Sequence, residues 1–239
     1  MAIDKQRRKI LQGSVSVMAL SPWLTACSST AHEDKKASLI SCSRTDKGHF
    51  GAVVADSEGY PIHSITLPER GHGVAISPNG ELAVAFARRP GNYMQLFSIK
   101  TGQSDSITAA MPNRYFYGHG VFSSDGLTLY TTEGEKDTSE GIIGVYQLRG
   151  TNLTKVNEFT GFGIGPHEVI RIDDTTLAIG VGGVHTKGRV PVNHNDSPFS
   201  QWHISSGTGK VISRTEKGEV TSHQTNVMWD NHWSQIPSQ

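Results

Sequence analysis

The segment that decides the fold recurs three times along the chain. It reads GHGVAISPNG at Gly71–Gly80, GHGVFSSDG at Gly118–Gly126 and GPHEVIRIDD at Gly165–Asp174. Its histidines, His72, His119 and His167, are 47 and 48 residues apart. Each histidine is followed by one residue, a valine, a short apolar strand and a turn of the Asn/Asp/Gly type that is typical of β-hairpins. A repeat of this length predicts one structural unit per period.

Between one histidine and the next, the sequence supplies four strands. After His72 they are predicted at Gly73–Ser77, Leu82–Ala87, Tyr93–Ile99 and Ser104–Thr108. Four antiparallel strands per period are typical of a β-propeller blade, whereas a β-sandwich has no fixed period that carries the same residue. The sequence therefore predicts an all-β fold over residues 38–225. We expect a partial β-propeller of about four to five four-stranded blades, open rather than closed.

The strands before His72 are predicted to be the later strands of a first blade. They lie at Leu39–Arg44, Phe50–Asp56 and Pro61–Leu67. At the other end of the chain, residues 226–239 show no alternating pattern and are predicted to form an irregular tail.

The N-terminal segment has the pattern of an export signal. A charged stretch that contains Arg7 and Arg8 precedes an apolar run from Ile10 to Leu24, which is short for a membrane span. The arginine pair resembles the twin-arginine signature. Residues 1–26 are therefore predicted to be a signal peptide.

Residues Leu24–Cys27 resemble a bacterial lipobox, in which the Cys27 thiol carries the lipid. The polar residues 27–37 are then a tether. Ser28 after the cysteine favours the outer membrane, so we expect a lipid-anchored protein on the periplasmic side of that membrane. The alternative is a plain signal peptide with an incidental cysteine.

The composition excludes some partners. Lys+Arg and Asp+Glu both number 22, so the formal net charge is zero, and no nucleic-acid partner is expected. The 11 histidines are the unusual feature of this neutral chain. No Cys-x-x-Cys-His motif for covalent haem and no Gly-x-Ser-x-Gly elbow occur, so the sequence identifies no cofactor and no catalytic residue.

The repeated histidines are candidate metal ligands. The innermost strand of each blade lines the central channel of a propeller, so His72, His119 and His167 are expected to form part of a ring at one end of that channel. Neutral imidazole binds transition metals well. The alternative is a structural role, in which each histidine hydrogen-bonds the backbone of the neighbouring blade.

Five other side chains are candidates for binding a ligand on the same face. They are Arg88, Arg89, Tyr117, Glu133 and His185. A pair of guanidinium groups clamps carboxylate or phosphate, although a solvated rim is the alternative for both arginines. Tyr117 alternatively packs between blades. Glu168 follows His167 directly, and because adjacent strand residues point to opposite faces, these two are not expected to converge.

Four collinear motifs point to a known family. They are FARRPG at Phe86–Gly91, YFYGHGVFS at Tyr115–Ser123, GIGPHE at Gly163–Glu168 and GGVHT at Gly182–Thr186. Together they resemble the bacterial family of unknown function DUF1513, over residues 38–189. The resemblance implies an exported WD40/YVTN-like propeller. Family members are often encoded near imelysin-like and di-haem peroxidase-like proteins, which implies envelope partners in an iron-uptake system.

The chain departs from that family in length. Family members are usually longer, with about seven blades, so a C-terminal truncation is expected here. The function predicted from the sequence is a ligand- or protein-binding scaffold in the cell envelope, linked to iron acquisition. The alternative is a periplasmic metal-dependent redox or hydrolytic enzyme that uses the histidines at the channel mouth.

Overall fold

The computed structural model describes residues 36–192, 199–216 and 234–235. The regular secondary structure of these residues consists of β-strands. These strands form four antiparallel sheets of four strands and one sheet of two strands. In the described part of the chain there is no helix long and apolar enough to span a membrane. The predicted signal peptide, Cys27 and most of the predicted tether and tail lie outside the described residues.

The four larger sheets are the blades, numbered along the chain. Blade 1 contains β1 (Leu39–Arg44), β2 (Phe50–Ala55) and β3 (Pro61–Thr66), with β18 (Ser234–Gln235) beside β1. Blade 2 contains β4 (Gly71–Ile76), β5 (Leu82–Ala87), β6 (Tyr93–Ser98) and β7 (Ser104–Ala109). Blade 3 contains β8 (Arg114–Phe122), β9 (Thr128–Glu135), β10 (Glu140–Arg149) and β11 (Asn152–Ile164). Blade 4 contains β12 (Pro166–Arg171), β13 (Thr176–Val181), β16 (Ser200–Ser205) and β17 (Val211–Glu216), and a hairpin of β14 (Thr186–Lys187) and β15 (Val190–Pro191) lies between β13 and β16 in sequence.

The predicted fold class is confirmed: the chain is an all-β partial propeller. Each observed strand of blade 2 matches its predicted range to within two residues. The three strands before His72 belong to the first blade, as expected. Among the described residues four blades are present, and none of their sheets is closed.

The strands that carry the repeated histidines lie side by side. β4, β8 and β12 each form one edge of their sheet. β4 contacts β8, and β8 contacts β12. The histidine-bearing edges of blades 2, 3 and 4 are therefore neighbours.

Apolar layers between the blades fix this arrangement. One layer packs blade 1 against blade 2, a second packs blade 2 against blade 3, and a third packs blade 3 against blade 4. β5 shows how one strand serves two layers: Ala83 and Ala85 face blade 1, while Val84 and Phe86 face blade 3. Alternating side chains of a strand point to opposite faces, so a continuous apolar run buries both faces of the blade.

The turns after β4 and β8 have the same hydrogen bonds. The Oγ of Ser77 accepts the backbone N–H of Leu82 at 2.9 Å, and the Oγ of Ser123 accepts that of Thr128 at 2.9 Å. Serine side chains stabilise such turns by bonding nearby backbone groups. These bonds fix where the second strand of each blade begins, and so help to hold the preceding histidine strand in register.

One short strand lies within the predicted irregular tail. β18 pairs antiparallel with β1, with Gln235 opposite Leu39 and Ser234 opposite Ile40. This pairing uses backbone groups on the edge of β1. A strand of two residues leaves no alternating apolar pattern, which is why the sequence analysis does not predict it.

Candidate functional site

Three histidines from three successive blades converge at the inner edges. His72 of β4, His119 of β8 and His167 of β12 each offer a ring nitrogen, and these nitrogens lie within 4.8 Å of one another. The ring centroids of His72 and His119 are 4.8 Å apart, and those of His119 and His167 are 4.7 Å apart. The structure thus brings together the three residues that the repeat marks, here called the histidine cluster.

A carboxylate orients one of these rings. The Nδ1 of His119 lies 2.9 Å from Oε2 of Glu168. The Nε2 of the same ring is buried and has no hydrogen-bond partner among the described residues. When Nδ1–H donates to the carboxylate, Nε2 keeps its lone pair, which is the form in which histidine binds a metal.

A β-bulge explains why Glu168 reaches the cluster. In the pairing of β12 with β13, Pro166 is opposite Val181 and Glu168 is opposite Gly180, so β12 contains one extra residue. A bulge breaks the alternation of side chains along a strand. The expectation that His167 and Glu168 do not converge is therefore wrong, because both side chains reach His119. No sequence signal locates this bulge, because Pro166 is the first residue of the edge strand β12, where proline is also found without a bulge.

Glycines allow the histidine strands to approach closely. Gly118 has a φ of +98°, and a Cβ at this position would collide with the ring of His72. A Cβ on Gly73 would collide with the carbonyl oxygen of Gly118 and lie 3.2 Å from Nδ1 of His119. The glycines of the repeated Gly-His-Gly segment are thus needed for the close packing of β4 against β8, in addition to marking where these strands carry their histidines.

The environment keeps His167 neutral. The pKa of His167 is lowered from 6.5 to about 4, chiefly by burial and also by the nearby His119 and Arg89, whereas Glu168 opposes this shift. A neutral imidazole has a lone pair available to a metal ion, while an imidazolium does not. His167 is therefore in its metal-binding form at neutral pH.

Arg89 lies next to the cluster and is partly desolvated. Its guanidinium carbon is 3.8 Å from the centroid of the Tyr117 ring, and Nη2 donates to the carbonyl of Val184 at 2.9 Å and to Oγ1 of Thr186 at 3.1 Å. Burial lowers the pKa of the guanidinium. Its Nε is buried without a hydrogen-bond partner in the described ranges. Arg89 therefore retains unused hydrogen-bonding capacity beside His167.

A cavity of about 240 Å³ opens beside the histidines. Its lining includes His72, Arg88, Arg89, Tyr117, His167 and Arg189. Three of the five other predicted ligand-binding residues, Arg88, Arg89 and Tyr117, thus border one space with two of the three histidines, His72 and His167. Arg189 and Glu168 are the site residues that the sequence analysis does not select. Arg189 lies in the two-residue turn between β14 and β15, outside the repeated segments, so no pattern indicated its position.

Two predicted binding residues lie elsewhere. Glu133 is 1% exposed and accepts hydrogen bonds within blade 3 from Lys155, Tyr146 and Thr131. The Nδ1 of His185 lies 2.7 Å from the backbone oxygen of Thr138. Neither residue lines the cavity beside the cluster. β9 places Glu133 on the same face of the blade 3 sheet as Thr131, Tyr146 and Lys155, with which it forms its hydrogen bonds.

The comparisons with known proteins support the fold and the family. A hydrazine synthase from Kuenenia stuttgartiensis superposes with a TM-score of 0.54 at 17% identity, over 70% of this chain and 43% of that one. A proposed 6-phosphogluconolactonase from Bacteroides uniformis gives a TM-score of 0.48 at 16% identity, over 75% of this chain and 54% of that one. The chain thus spans about half the length of these structures, and the first likeness concerns the fold alone. No curated protein matches the sequence.

The sequence comparison assigns the family. The model of the family described as "Protein of unknown function (DUF1513)" matches residues 65–200. This range contains all three members of the histidine cluster and both arginines of the pair, and it is more than half of the 239 residues. The chain belongs to the DUF1513 family.

Proposed function

We propose that this chain is a binding propeller that holds one divalent transition-metal ion in the histidine cluster. The observation that carries the proposal is the convergence of three imidazole nitrogens within 4.8 Å, and the ring of His119 has in addition a buried Nε2 without a hydrogen-bond partner among the described residues. A buried polar atom without a partner is costly, and a bound ion removes that cost. The carboxylate on Nδ1 of His119 is the usual partner of a metal-binding histidine.

The spacing of the ligand atoms suits a metal ion after a small adjustment. The centre of a triangle with sides of 4.8 Å lies about 2.8 Å from each corner, and bound zinc lies about 2.1 Å from imidazole nitrogen. Three neutral imidazoles favour zinc, copper, iron or nickel over magnesium and calcium, which prefer oxygen ligands. Three protein ligands also leave at least one coordination position open.

Binding is favoured over the two alternatives raised by the sequence. A purely structural histidine that bonds a neighbouring backbone would use its ring nitrogens, whereas Nε2 of His119 has no partner in the part of the chain described. The other alternative is a metal-dependent redox or hydrolytic enzyme; a hydrolytic one needs a group that transfers protons at the site, and the carboxylate of Glu168 is already engaged as the partner of His119. We therefore propose a carrier or scaffold for the ion rather than an enzyme.

The place of action is part of the same proposal. Arg7 and Arg8 support export, and the lipobox-like residues Leu24–Cys27 support a lipid anchor on Cys27 at the periplasmic side of the outer membrane. The family resemblance supports partners within an iron-uptake system. Labelled palmitate should be incorporated into the wild-type chain and lost in Cys27→Ser, and equal labelling of both chains would contradict the anchor.

The metal proposal is tested by direct titration. The full chain, stripped with EDTA and dialysed, should bind one equivalent of Co²⁺ or Zn²⁺, and His119→Ala should weaken binding by at least about 100-fold. His49→Ala is the matched control, because it removes an exposed histidine from a turn in blade 1. Absence of stoichiometric binding by the wild-type chain, or equal affinity of His119→Ala and His49→Ala, would overturn the proposal.

A further inference from the structure

Two cavities flank the histidine cluster, and both are lined by arginine. The cavity of about 240 Å³ contains Arg88, Arg89 and Arg189 in its wall. A second cavity, of about 400 Å³, contains Arg44, Arg70 and Arg88. His72 and Arg88 belong to both walls, so the two spaces meet beside the cluster. No aspartate or glutamate lines either cavity within the described residues.

This distribution of charge is unfavourable for a bare metal ion. The proposed ligands are neutral imidazoles, and the carboxylate of Glu168 contacts His119 without being one of the ligands, so a divalent ion leaves the site with a net positive charge beside several guanidinium groups. Like charges in a partly buried space repel more strongly than in water. Arg89 is already partly desolvated, and its buried Nε has no hydrogen-bond partner in the portion described. An anion that contacts both the ion and the arginines offsets this repulsion.

The shape of the site indicates what kind of anion fits. Guanidinium groups bind carboxylate and phosphate through paired N–H donors. Because arginines line both cavities, a ligand with two or more separated anionic groups fits better than one with a single group. The cavity next to His167 is smaller than the spaces of about 300–1,000 Å³ that hold drug-sized ligands, which favours a small organic acid.

We propose that the site binds the metal together with a small polycarboxylate. One carboxylate occupies an open coordination position of the ion, and the others pair with Arg88, Arg89 and the arginines of the second cavity. The inference rests on the proposed metal site and names the second component of its ligand. Binding involves coordination and ion pairing only, so no covalent bond is made or broken.

The test uses citrate as the probe and cobalt as the reporter. Citrate is itself a chelator, so a site without an anion pocket loses Co²⁺ to an excess of citrate. We expect the cobalt-loaded chain to retain its metal through gel filtration in citrate, with a spectral change that saturates at one citrate per chain. Acetate and inorganic phosphate should produce that change only at concentrations at least about tenfold higher.

Each contrary result has a separate meaning. A chain that binds no Co²⁺ in the absence of anions overturns the proposed function itself. Loss of cobalt to citrate, retention of cobalt without a spectral change, or an equal response to phosphate overturns the polycarboxylate inference and leaves the metal site intact. The two failures are therefore distinguishable.

An arginine variant separates the anion from the metal. Arg88 is exposed, so Arg88→Gln should fold normally. We expect it to weaken citrate binding by at least about tenfold, while its affinity for Co²⁺ alone stays equal or increases, because a repelling charge is lost without loss of a ligand. Arg149→Gln, at an exposed position at the end of β10, is the matched control and should change neither affinity. Unchanged citrate binding in both Arg88→Gln and Arg44→Gln would overturn the inference.

Discussion

The Nδ1 of His119 and the Oε2 of Glu168 are 2.9 Å apart, although the two residues belong to neighbouring blades. This contact joins β8 to β12 at the inner edge, where His119 also approaches His72 and His167. When Nδ1–H donates to this carboxylate, Nε2 keeps a lone pair that is available to a metal ion. The proposed metal site therefore depends on a residue that is not itself one of the three proposed ligands.

Glu168→Gln should weaken metal binding without unfolding the chain. The amide keeps the size of the side chain but loses the charge that holds Nδ1–H, so we expect a loss of about 10–100-fold in Co²⁺ affinity. Titration of the EDTA-stripped chain measures this change. Glu58→Gln, which alters an exposed carboxylate in blade 1, should bind Co²⁺ as the wild type does. Equal affinity of both variants would show that Glu168 does not orient the ring.

The sequence predicts the fold and the histidine cluster for the same reason. A histidine at one position of a propeller repeat lies on the same strand of each blade, so its period predicts convergence once blades are stacked. Glu168 is different, because its direction depends on a one-residue bulge between Pro166 and Glu168. Alternation along a strand is a rule of regular pairing, and it fails where the register shifts.

Glu133 shows a second limit of sequence reasoning. Its position near the end of β9 resembles that of the arginine pair after β5, which is why a ligand-binding role is predicted from the sequence. Its actual partners, Lys155 and Tyr146, come from β11 and β10, and only the pairing of these strands places them on one face. The structure thus places Glu133 in a buried hydrogen-bond network of blade 3 and not in the wall of the cavity beside the histidine cluster.

Gly118→Ala should damage both stability and metal binding. A left-handed backbone costs alanine about 1–2 kcal/mol. At Gly118 the added Cβ also collides with the His72 ring, which we expect to cost a further 1–3 kcal/mol or so and to displace a ligand. Denaturant unfolding and Co²⁺ titration measure the two effects.

Gly59→Ala is the matched control for that variant. Gly59 has a φ of +85°, and a Cβ there meets nothing within 4 Å. Gly59→Ala should therefore lower the free energy of unfolding only by the cost of placing alanine in a left-handed backbone conformation, and it should retain full Co²⁺ affinity. The same metal affinity in both glycine variants would argue against the close packing of His72 on Gly118.

Glu133→Ala should destabilise the chain and leave metal affinity unchanged in the folded protein. The carboxylate is 1% exposed, and its removal leaves the hydroxyls of Thr131 and Tyr146 without their acceptor, so we expect a loss of about 3 kcal/mol. Glu135→Ala, which breaks a more exposed pair with Arg114, should cost less than about 1 kcal/mol. Weaker Co²⁺ binding by Glu133→Ala at unchanged stability would instead support a role at the site.

The thiol of Cys42 should be unreactive in the native chain. Cys42 packs beneath Gly71, where a Cβ would collide with its sulfur, and burial raises the pKa of the thiol to about 12. Only the thiolate reacts with alkylating agents, and it accounts for about one part in ten thousand at pH 8 when the pKa is near 12. This protonated thiol is therefore not expected to join the histidines as a metal ligand.

Alkylation kinetics test this expectation directly. In a Cys27→Ser chain, iodoacetamide should modify Cys42 at pH 8 about a thousandfold more slowly in buffer than in denaturant, where the thiol regains an ordinary pKa. Because the folded pKa is raised, the native rate should keep rising about tenfold per pH unit well above pH 9, whereas the rate in denaturant levels off there. Similar rates in both solvents at pH 8 would mean that the thiol is neither buried nor shifted, and Cys42→Ser would then have to be examined for altered metal affinity.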